Sequence, residues 1–197
     1  MKATRSYTMT ARAEAAERTR VRILDAAIDL ATTRLLADVS LDDIAAGAGV
    51  SVQTVLRRFG SRAALVEAAF ERVASGIEEE RRTPVGDVDT AVRVIVDHYE
   101  LRGQGVVMML AQETTEESIR FVVGRGRAMH RHWVEDAFAP TTDDEALLDL
   151  LVVATDVYTW KQLRLDRGLD RATTERRIRA LVAALLPGSS ATTDPTP

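Results

Sequence analysis

The 197-residue chain contains no cysteine, and only two of its 26 basic residues are lysine. The absence of cysteine excludes disulfide bonds, thiol catalysis and thiolate metal sites together. No stretch approaches the roughly 18 consecutive apolar residues of a membrane-spanning helix. The longest clean apolar run is LLVVA (150–154), and no apolar secretion segment opens the chain. We therefore expect a cytoplasmic protein that does not contact a membrane.

The common motifs of catalytic and metal sites are also missing. The sequence has no glycine-rich phosphate loop, no G-x-S-x-G turn and no H-E-x-x-H motif. His130 and His132 are two residues apart, so a helix would place them on different faces, which makes a poor metal site. We predict that the protein is not an enzyme and uses no metal and no cofactor.

Charge is unevenly distributed along the chain. Residues 1–62 carry a formal charge of +3, and residues 63–197 carry −7. A basic N-terminal segment followed by an acidic remainder is typical of a nucleic-acid-binding segment joined to an unrelated domain. The hydrophobic fraction of 46% is that of a globular protein with a core.

Apolar residues recur at helical spacing along most of the chain, which predicts an all-α fold of about nine helices. In the first helix, predicted from Arg18 onward, the apolar stripe runs from Val21 to Leu35. Short helices follow Ser40, Ser51 and Ser61, each of which is a good N-cap. Later helices are predicted over 89–102, 106–112, 115–138, 143–166 and 173–186.

Four segments are expected. A flexible N-terminal arm spans 1–17, and a domain of short helices spans 18–62. A second helical domain spans 63–187. The tail 188–197 (GSSATTDPTP) is rich in Pro, Ser and Thr and is predicted to be disordered.

Residues 41–59 have the pattern of a helix-turn-helix. Ile44, Ala48 and Val55 are apolar where the two helices pack together, and Gly49 lies in the turn, where a positive φ is needed. In such a motif the second helix enters the major groove. Side chains of its first turn meet base edges, and neighbouring arginines and helix starts meet phosphate. The predicted DNA contacts are Ser40, Ser51, Val52, Gln53, Thr54, Arg57, Arg58, Ser61 and Arg62.

The stretch RILDAAIDLATTRLLADVSLDDIAAGAGVSVQTVLRRFGSRAALVEAAFE resembles the N-terminal region of the TetR family of transcriptional repressors. It keeps the family pattern at Ile44, Ala45, Ala48, Gly49, Val50, Ser51, Thr54, Phe59, Ser61 and Leu65. It departs at Leu56, where the family usually has a tyrosine that bonds phosphate, and at Arg62, where the family has lysine. The segment VYTWKQLRLDRGLDRATTERRIRALVAAL is more loosely similar to the end of such regulators. The resemblance implies a homodimer, an operator of two half-sites in double-stranded DNA, and a small effector bound by the C-terminal domain.

The middle helices hold large side chains suited to a mostly apolar cavity with a few polar groups. Such residues can equally be plain core. The predicted ligand-binding residues are Tyr99, Met108, Met109, Gln112, Phe121, Met129, His130, Trp133, Tyr158 and Trp160. His98 and Gln104 are further candidates for polar groups.

The last two long helices have wide apolar faces, which favours a four-helix interface between two subunits. The alternative is that these residues belong to the core of each subunit. The predicted interface residues are Leu147, Leu148, Leu151, Val152, Thr155, Ile178, Leu181, Val182 and Leu185.

These features favour a ligand-responsive transcriptional regulator, most simply a repressor released from its operator by a small, largely apolar effector. Two other functions stay open. The chain could be an all-α binding protein or enzyme with a vestigial DNA-binding segment, a reading that Leu56 favours. It could also be a scaffold that dimerises without DNA.

Overall fold

The computed structural model describes residues 3–138 and 142–186, with side chains described from residue 11 onward. This part of the chain is all-α and contains no strand, as predicted. The predicted disordered tail lies outside the described residues. The helices are α1 (Ala3–Thr33), α2 (Leu41–Ala48), α3 (Val52–Phe59), α4 (Arg62–Glu80), α5 (Val88–Leu110), α6 (Glu117–Phe138), α7 (Glu145–Ala154), α8 (Val157–Lys161) and α9 (Arg171–Leu185).

Two compact units make up the chain. The first consists of residues 1–76 and 108–123, and the second of residues 77–107 and 124–197. The first unit therefore extends beyond the boundary expected at residue 62, because it takes in most of α4 and the segment that joins α5 to α6. Among the described residues, no helix is long and apolar enough to cross a membrane.

The core of the first unit is built from small and branched side chains of α1 to α4 and α6. Its fully buried members include Ile23, Ile44, Val55 and Leu65. Gly47 of α2 lies against α1, since a Cβ placed there would be 3.3 Å from the Cβ of Ala26. The core therefore holds the helix-turn-helix against α1 and α4.

Residues 3–17, which belong to the segment predicted as a flexible arm, are helical, because α1 begins at Ala3. Periodicity missed this part of α1, since residues 11–18 (ARAEAAER) have no apolar stripe. Alanine, glutamate and arginine are strong helix formers, and Glu14 pairs with Arg18 at 3.9 Å, one turn further along. The helix propensity of residues 11–18 therefore accounts for a helical segment that has no apolar stripe.

Two further helix predictions were wrong. The pieces predicted at 89–102 and 106–112 are one helix, α5, which continues through Gly103. The helix predicted over 143–166 is interrupted between α7 and α8, where the Thr155 hydroxyl donates to the Leu151 carbonyl at 2.7 Å. Asp156 then begins α8 by accepting from the backbone N–H of Tyr158 at 2.8 Å. Two short-range side-chain bonds therefore end one helix and start the next.

The second unit packs α5 against the helices that follow it in the chain. Its buried side chains include Ile95 and Tyr99 of α5, Leu151 of α7 and Ile178 of α9. Ion pairs add to this packing at the surface. They join Arg164 to Glu100 at 3.0 Å, Arg171 to Asp97, and Arg179 to Asp89.

Candidate functional site

The turn between α2 and α3 has the geometry that a helix-turn-helix needs. Gly49 ends α2 with φ of 63°, and its N–H donates to the carbonyls of Ala45 and Ala46. Glycine adopts this left-handed conformation without steric cost. The N–H of Val50 also donates to the Ala45 carbonyl, at 2.9 Å. These bonds turn the chain sharply and start α3 two residues later.

Ser40, Ser51 and Ser61 each lie just before a helix. In each case the side-chain oxygen accepts from the backbone N–H three residues later, at 3.1 to 3.2 Å. The first-turn N–H groups of a helix lack partners within the helix, so these bonds stabilise its start. The structure therefore gives all three predicted DNA-contact serines a capping role.

The surface of α3 that faces away from the core is polar and basic. Gln53, Arg57 and Arg58 are exposed, whereas Val55 on the opposite side is only 1% exposed. Gln53 and Arg57 are four residues apart and so share a face of the helix. Within the described residues neither Arg57 nor Arg58 forms an ion pair, so both guanidinium groups are available to an anion.

Val52 and Thr54 are less available than Gln53. Both are partly buried, and Val52 packs against the core of the first unit. The hydroxyl of Thr54 lies 3.0 Å from that of Ser51. Leu56, which stands where the family pattern has tyrosine, is 36% exposed and offers no hydrogen bond.

Arg62 has a different environment from the arginines of α3. Its Nη1 is 3.0 Å from Oε1 of Glu116. Its other nitrogens donate to the backbone carbonyls of Leu36 and Val39. Only 27% of the side chain is exposed. The guanidinium therefore ties the start of α4 to two other segments of the first unit, and its donors are already occupied.

A cleft of about 600 Å³ lies in the second unit, between the end of α4 with its following loop and the last turns of α6. Its apolar lining includes Ile77, Met129 and Trp133. Of the ten predicted ligand-binding residues, Met129 and Trp133 line this cleft. Arg81 also lines it, and is only 6% exposed.

A group of buried polar side chains surrounds Arg81. The Arg81 Cζ lies 5.8 Å from the ring centroid of Tyr99, and the Trp133 Nε1–H donates to the Arg81 carbonyl at 2.9 Å. The His130 ring stacks on Trp133 at 5.7 Å. His98 is next to Tyr99, with 5.4 Å between ring centroids. Predicted ligand residues Tyr99, His130 and Trp133 thus lie around a residue that was not predicted.

Burial changes the protonation of this group. Burial, together with the nearby Arg81 charge, lowers the pKa of His98 to about 3 and that of His130 to about 4. It also lowers the pKa of Arg81 and raises that of Tyr99. Both histidines are therefore neutral at physiological pH, and Arg81 supplies the positive charge of the group.

The other predicted ligand residues lie elsewhere. Met108, Met109, Gln112 and Phe121 belong to the first unit. Gln112 has a structural role there, because its Oε1 accepts from the backbone N–H of Ala37 at 3.4 Å. In the second unit, Tyr158 is 49% exposed and Trp160 is buried. The ten residues therefore do not line one cavity of either unit.

The predicted interface residues differ in their exposure within the single chain. Five of the nine are already buried within the chain, as the alternative reading held: Leu148, Leu151, Thr155, Ile178 and Val182. Leu147, Val152 and Leu185 are partly buried. Leu181 is 46% exposed. Leu150 and Val153, which were not among the predicted residues, are 50% and 63% exposed. Periodicity identified the apolar helices but not which side faces solvent, because both sides are apolar.

Arg81 could have been found in the sequence from the stripe of α4. Val73 and Ile77 are on the buried face of this helix, and Arg81 follows Ile77 by four residues. The same spacing that buries Ile77 therefore carries an arginine inward.

Residues 23–69 match the family of bacterial regulatory proteins called the tetR family. A TetR-family transcriptional regulator from Streptomyces coelicolor is 24% identical with a TM-score of 0.70, over 86% of this chain and 80% of that one. A TetR transcriptional regulator from Rhodococcus sp. RHA1 is 26% identical with a TM-score of 0.56, over 88% and 99%. The multidrug binding protein EbrR, solved with imidazole, is 22% identical with a TM-score of 0.58, over 87% and 91%. None of the curated proteins matches the chain.

The family match covers α2, α3 and the adjoining parts of α1 and α4, which form the capped helix-turn-helix described above. The solved regulators share the all-α fold over most of the chain. The resemblance seen in the sequence is thereby confirmed. Residues 23–69 therefore form the N-terminal domain of the tetR family of bacterial regulatory proteins, and the chain has the fold of TetR-family transcriptional regulators.

Proposed function

We propose that the protein is a repressor that binds a palindromic operator as a homodimer and is released by a small, largely apolar effector. The observation that carries the DNA-binding part is the exposed face of α3, where Gln53, Arg57 and Arg58 point away from the core. In this proposal α3 enters the major groove, Gln53 bonds adenine, and the two arginines meet phosphate or guanine. Arg62 is left out, because Glu116 and two carbonyls occupy its donors.

An apolar surface on α7 and α9 supports the homodimer. Leu150, Val153 and Leu181 are 46% to 63% exposed, and they lie on two helices that pack together. A second copy of the chain would bury this surface in a two-fold symmetric interface, and the symmetry would match an operator of two half-sites. Val153→Glu should weaken the dimer in analytical ultracentrifugation. Leu101→Glu, at a 70% exposed leucine of α5, is the control.

The cleft beside Trp133 and Met129 supports a small effector, since it combines apolar walls with buried polar groups. The fold is also shared with EbrR, a multidrug binding protein. An effector would release DNA if it binds better to the form of the protein that does not fit the operator. The effector can shift the balance between the two forms of the protein only by as much as its affinities for them differ.

Fluorescence anisotropy on the intergenic DNA beside the gene tests the proposal, with excess unrelated duplex and at several salt concentrations. Binding should survive the competitor and weaken steeply as salt rises, because phosphate contacts release counterions. Arg57→Ala should weaken binding and lower the salt slope by about 2 for a dimer, one phosphate contact per subunit. Arg93→Ala removes an exposed arginine of α5 and is the control.

An unchanged affinity and salt slope in Arg57→Ala would mean that α3 does not lie against DNA. Failure to bind any duplex at low salt would favour the second candidate, a small-molecule-binding protein whose DNA-binding segment is vestigial. The observation that favours this candidate is Leu56, which has no polar group at a position where the family usually has a phosphate-binding tyrosine.

A further inference from the structure

Arg81 is a buried guanidinium that lacks a full set of hydrogen-bond partners. Only 6% of the residue is exposed, and its Nε and Nη1 are buried with no hydrogen-bond partner in the described part of the chain. Within the same residues it forms no ion pair. Arginine is almost never fully buried unless it is paired, because removing a charge from water is costly. Arg81 is therefore unlike the surface arginines of this unit, such as Arg164 and Arg171, which contact carboxylates.

The nearest acidic side chains are already engaged. Oε2 of Glu80 accepts from Arg102 Nε at 2.9 Å and lies 3.4 Å from Nδ1 of His98, while Oε1 accepts from Arg102 Nη2 at 2.5 Å. Asp156 accepts from the backbone N–H of Tyr158 at the start of α8. The protein thus holds these carboxylates on other donors and leaves Nε and Nη1 of Arg81 without a partner.

The surroundings of Arg81 select for shape as well as charge. Arg81 lines the 600 Å³ cleft together with Met129 and the indole of Trp133. The other ionisable residues of the lining, including Glu78, Arg82 and Asp136, are exposed to solvent. A ligand that fills the cleft would therefore meet an aromatic wall, a flexible thioether and one buried cation.

We propose that this cleft binds a small organic carboxylate, whose carboxylate pairs with the Arg81 guanidinium and whose apolar part packs on Trp133 and Met129. Arginine presents two parallel N–H donors that match the two oxygens of a carboxylate. The unpartnered Nε2 of His98 and Nδ1 of His130 are two further buried polar atoms of the group around Arg81. This inference deepens the proposed function by naming the chemical class of the effector, and only its regulatory consequence rests on that function.

The test measures binding by the full-length protein without DNA, using titration calorimetry and thermal shift. The probes are benzoate, hexanoate and decanoate, each paired with its uncharged amide. At least one carboxylate should bind about tenfold or more tightly than its amide, since a site that pairs a buried charge rejects an analogue that leaves the charge unpaired. Equal binding of acid and amide in all three pairs, or no binding of any, would overturn the proposal.

Two variants identify the residue responsible. Arg81→Met keeps an unbranched apolar stem in place of the guanidinium. It should abolish the preference for acid over amide without loss of folded protein, because an unpaired buried charge is removed. Arg93→Met, at an exposed arginine of α5 that does not line the cleft, should keep the preference. A preference that survives in Arg81→Met would overturn the assignment. Equal competition by inorganic phosphate would indicate a general anion site and would overturn the organic carboxylate.

The same proteins can be compared in the DNA-binding assay, which separates the two proposals. Carboxylate binding without any effect on DNA would leave the cleft assignment standing and remove the effector role. Operator binding by a protein with no preference for carboxylates would remove the cleft assignment and leave the repressor proposal standing.

Discussion

Trp160 packs directly on Gly103. A Cβ added to Gly103 would be 2.5 to 2.9 Å from three atoms of the Trp160 ring, which is closer than atoms in proteins approach. The indole cannot move away cheaply, because Trp160 is 2% exposed and its Nε1–H donates to Glu100 at 2.9 Å. The helix predicted to end at residue 102 instead continues through Gly103, where α5 accepts the largest side chain of α8.

Gly103→Ala should therefore destabilise the protein. Alanine favours a helix over glycine by about 1 kcal/mol, but forcing an extra carbon into a packed site costs about 1 to 3 kcal/mol. We expect a net loss in the free energy of unfolding, measured by urea denaturation. Gly124→Ala is the matched control in α6, where an added Cβ meets nothing within 4 Å. It should stabilise by about 0.5 to 1 kcal/mol. A stabilised Gly103→Ala would show that the indole is free to move.

Arg62→Met should destabilise the protein by about 1 to 3 kcal/mol, because it leaves two carbonyls and Glu116 without their donor. Glu116→Gln should cost less, since the carbonyl bonds stay. Urea denaturation of each single variant and the double variant gives the coupling between the two side chains. Arg58→Met, at an exposed arginine of α3, is the control. If Arg62→Met unfolded like the wild type and lost only DNA affinity, Arg62 would be a phosphate contact as the sequence suggested.

Protein stability should fall as the pH drops below about 6.5, the ordinary pKa of histidine. The buried His98 and His130 have pKa values of about 3 and about 4. Between these values and 6.5 the unfolded chain binds more protons than the folded chain, so acid favours unfolding. Each histidine contributes a slope of up to about 1.4 kcal/mol per pH unit.

Urea denaturation at a series of pH values between 5 and 7 measures this slope. His98→Gln and His130→Gln should each reduce it by the contribution of one proton. His132→Gln changes a histidine that is 75% exposed and is the control. The same slope in wild type and both buried-site variants would mean that neither ring resists protonation in the folded state.

Leu56→Tyr should strengthen operator binding. Leu56 is 36% exposed and adjoins Arg57, so a tyrosine ring could present its hydroxyl on the same surface of α3. A hydrogen bond to a charged phosphate contributes about 1.5 kcal/mol or more, which is about tenfold in affinity per contact. Leu56→Phe adds the ring without the hydroxyl and is the control. Equal affinities of the tyrosine and phenylalanine variants would exclude the phosphate bond.

Local sequence signals were sufficient for the DNA-binding half of the molecule. Ser40 and Ser51 cap the helices they were expected to cap, and Gly49 has the positive φ that the turn needs. Each of these features depends on residues within about four positions, which a single sequence displays. The family pattern over 23–69 is made of the same residues.

The second unit was harder to predict because its features depend on contacts across long sequence separations. From local sequence, Gly103 indicates a break in the helix. Only the structure shows that the ring of Trp160, 57 positions later, occupies the space that a side chain at residue 103 would need. Leu151 and Val153 are equally apolar in the sequence, yet one is buried and the other is 63% exposed. The burial of Arg81 likewise became evident only from the packing around it.

The length of α1 gives this helix two ends of different character. Its 31 residues extend about 45 Å at 1.5 Å per residue. Side chains from Ile23 onward are anchored in the core, whereas residues 11–15 are exposed. Amide hydrogens should therefore exchange with solvent quickly near the front of α1 and slowly near its end, with no interruption in the helix between them. A single helix thus passes from a segment that opens locally to one that opens only when the domain unfolds.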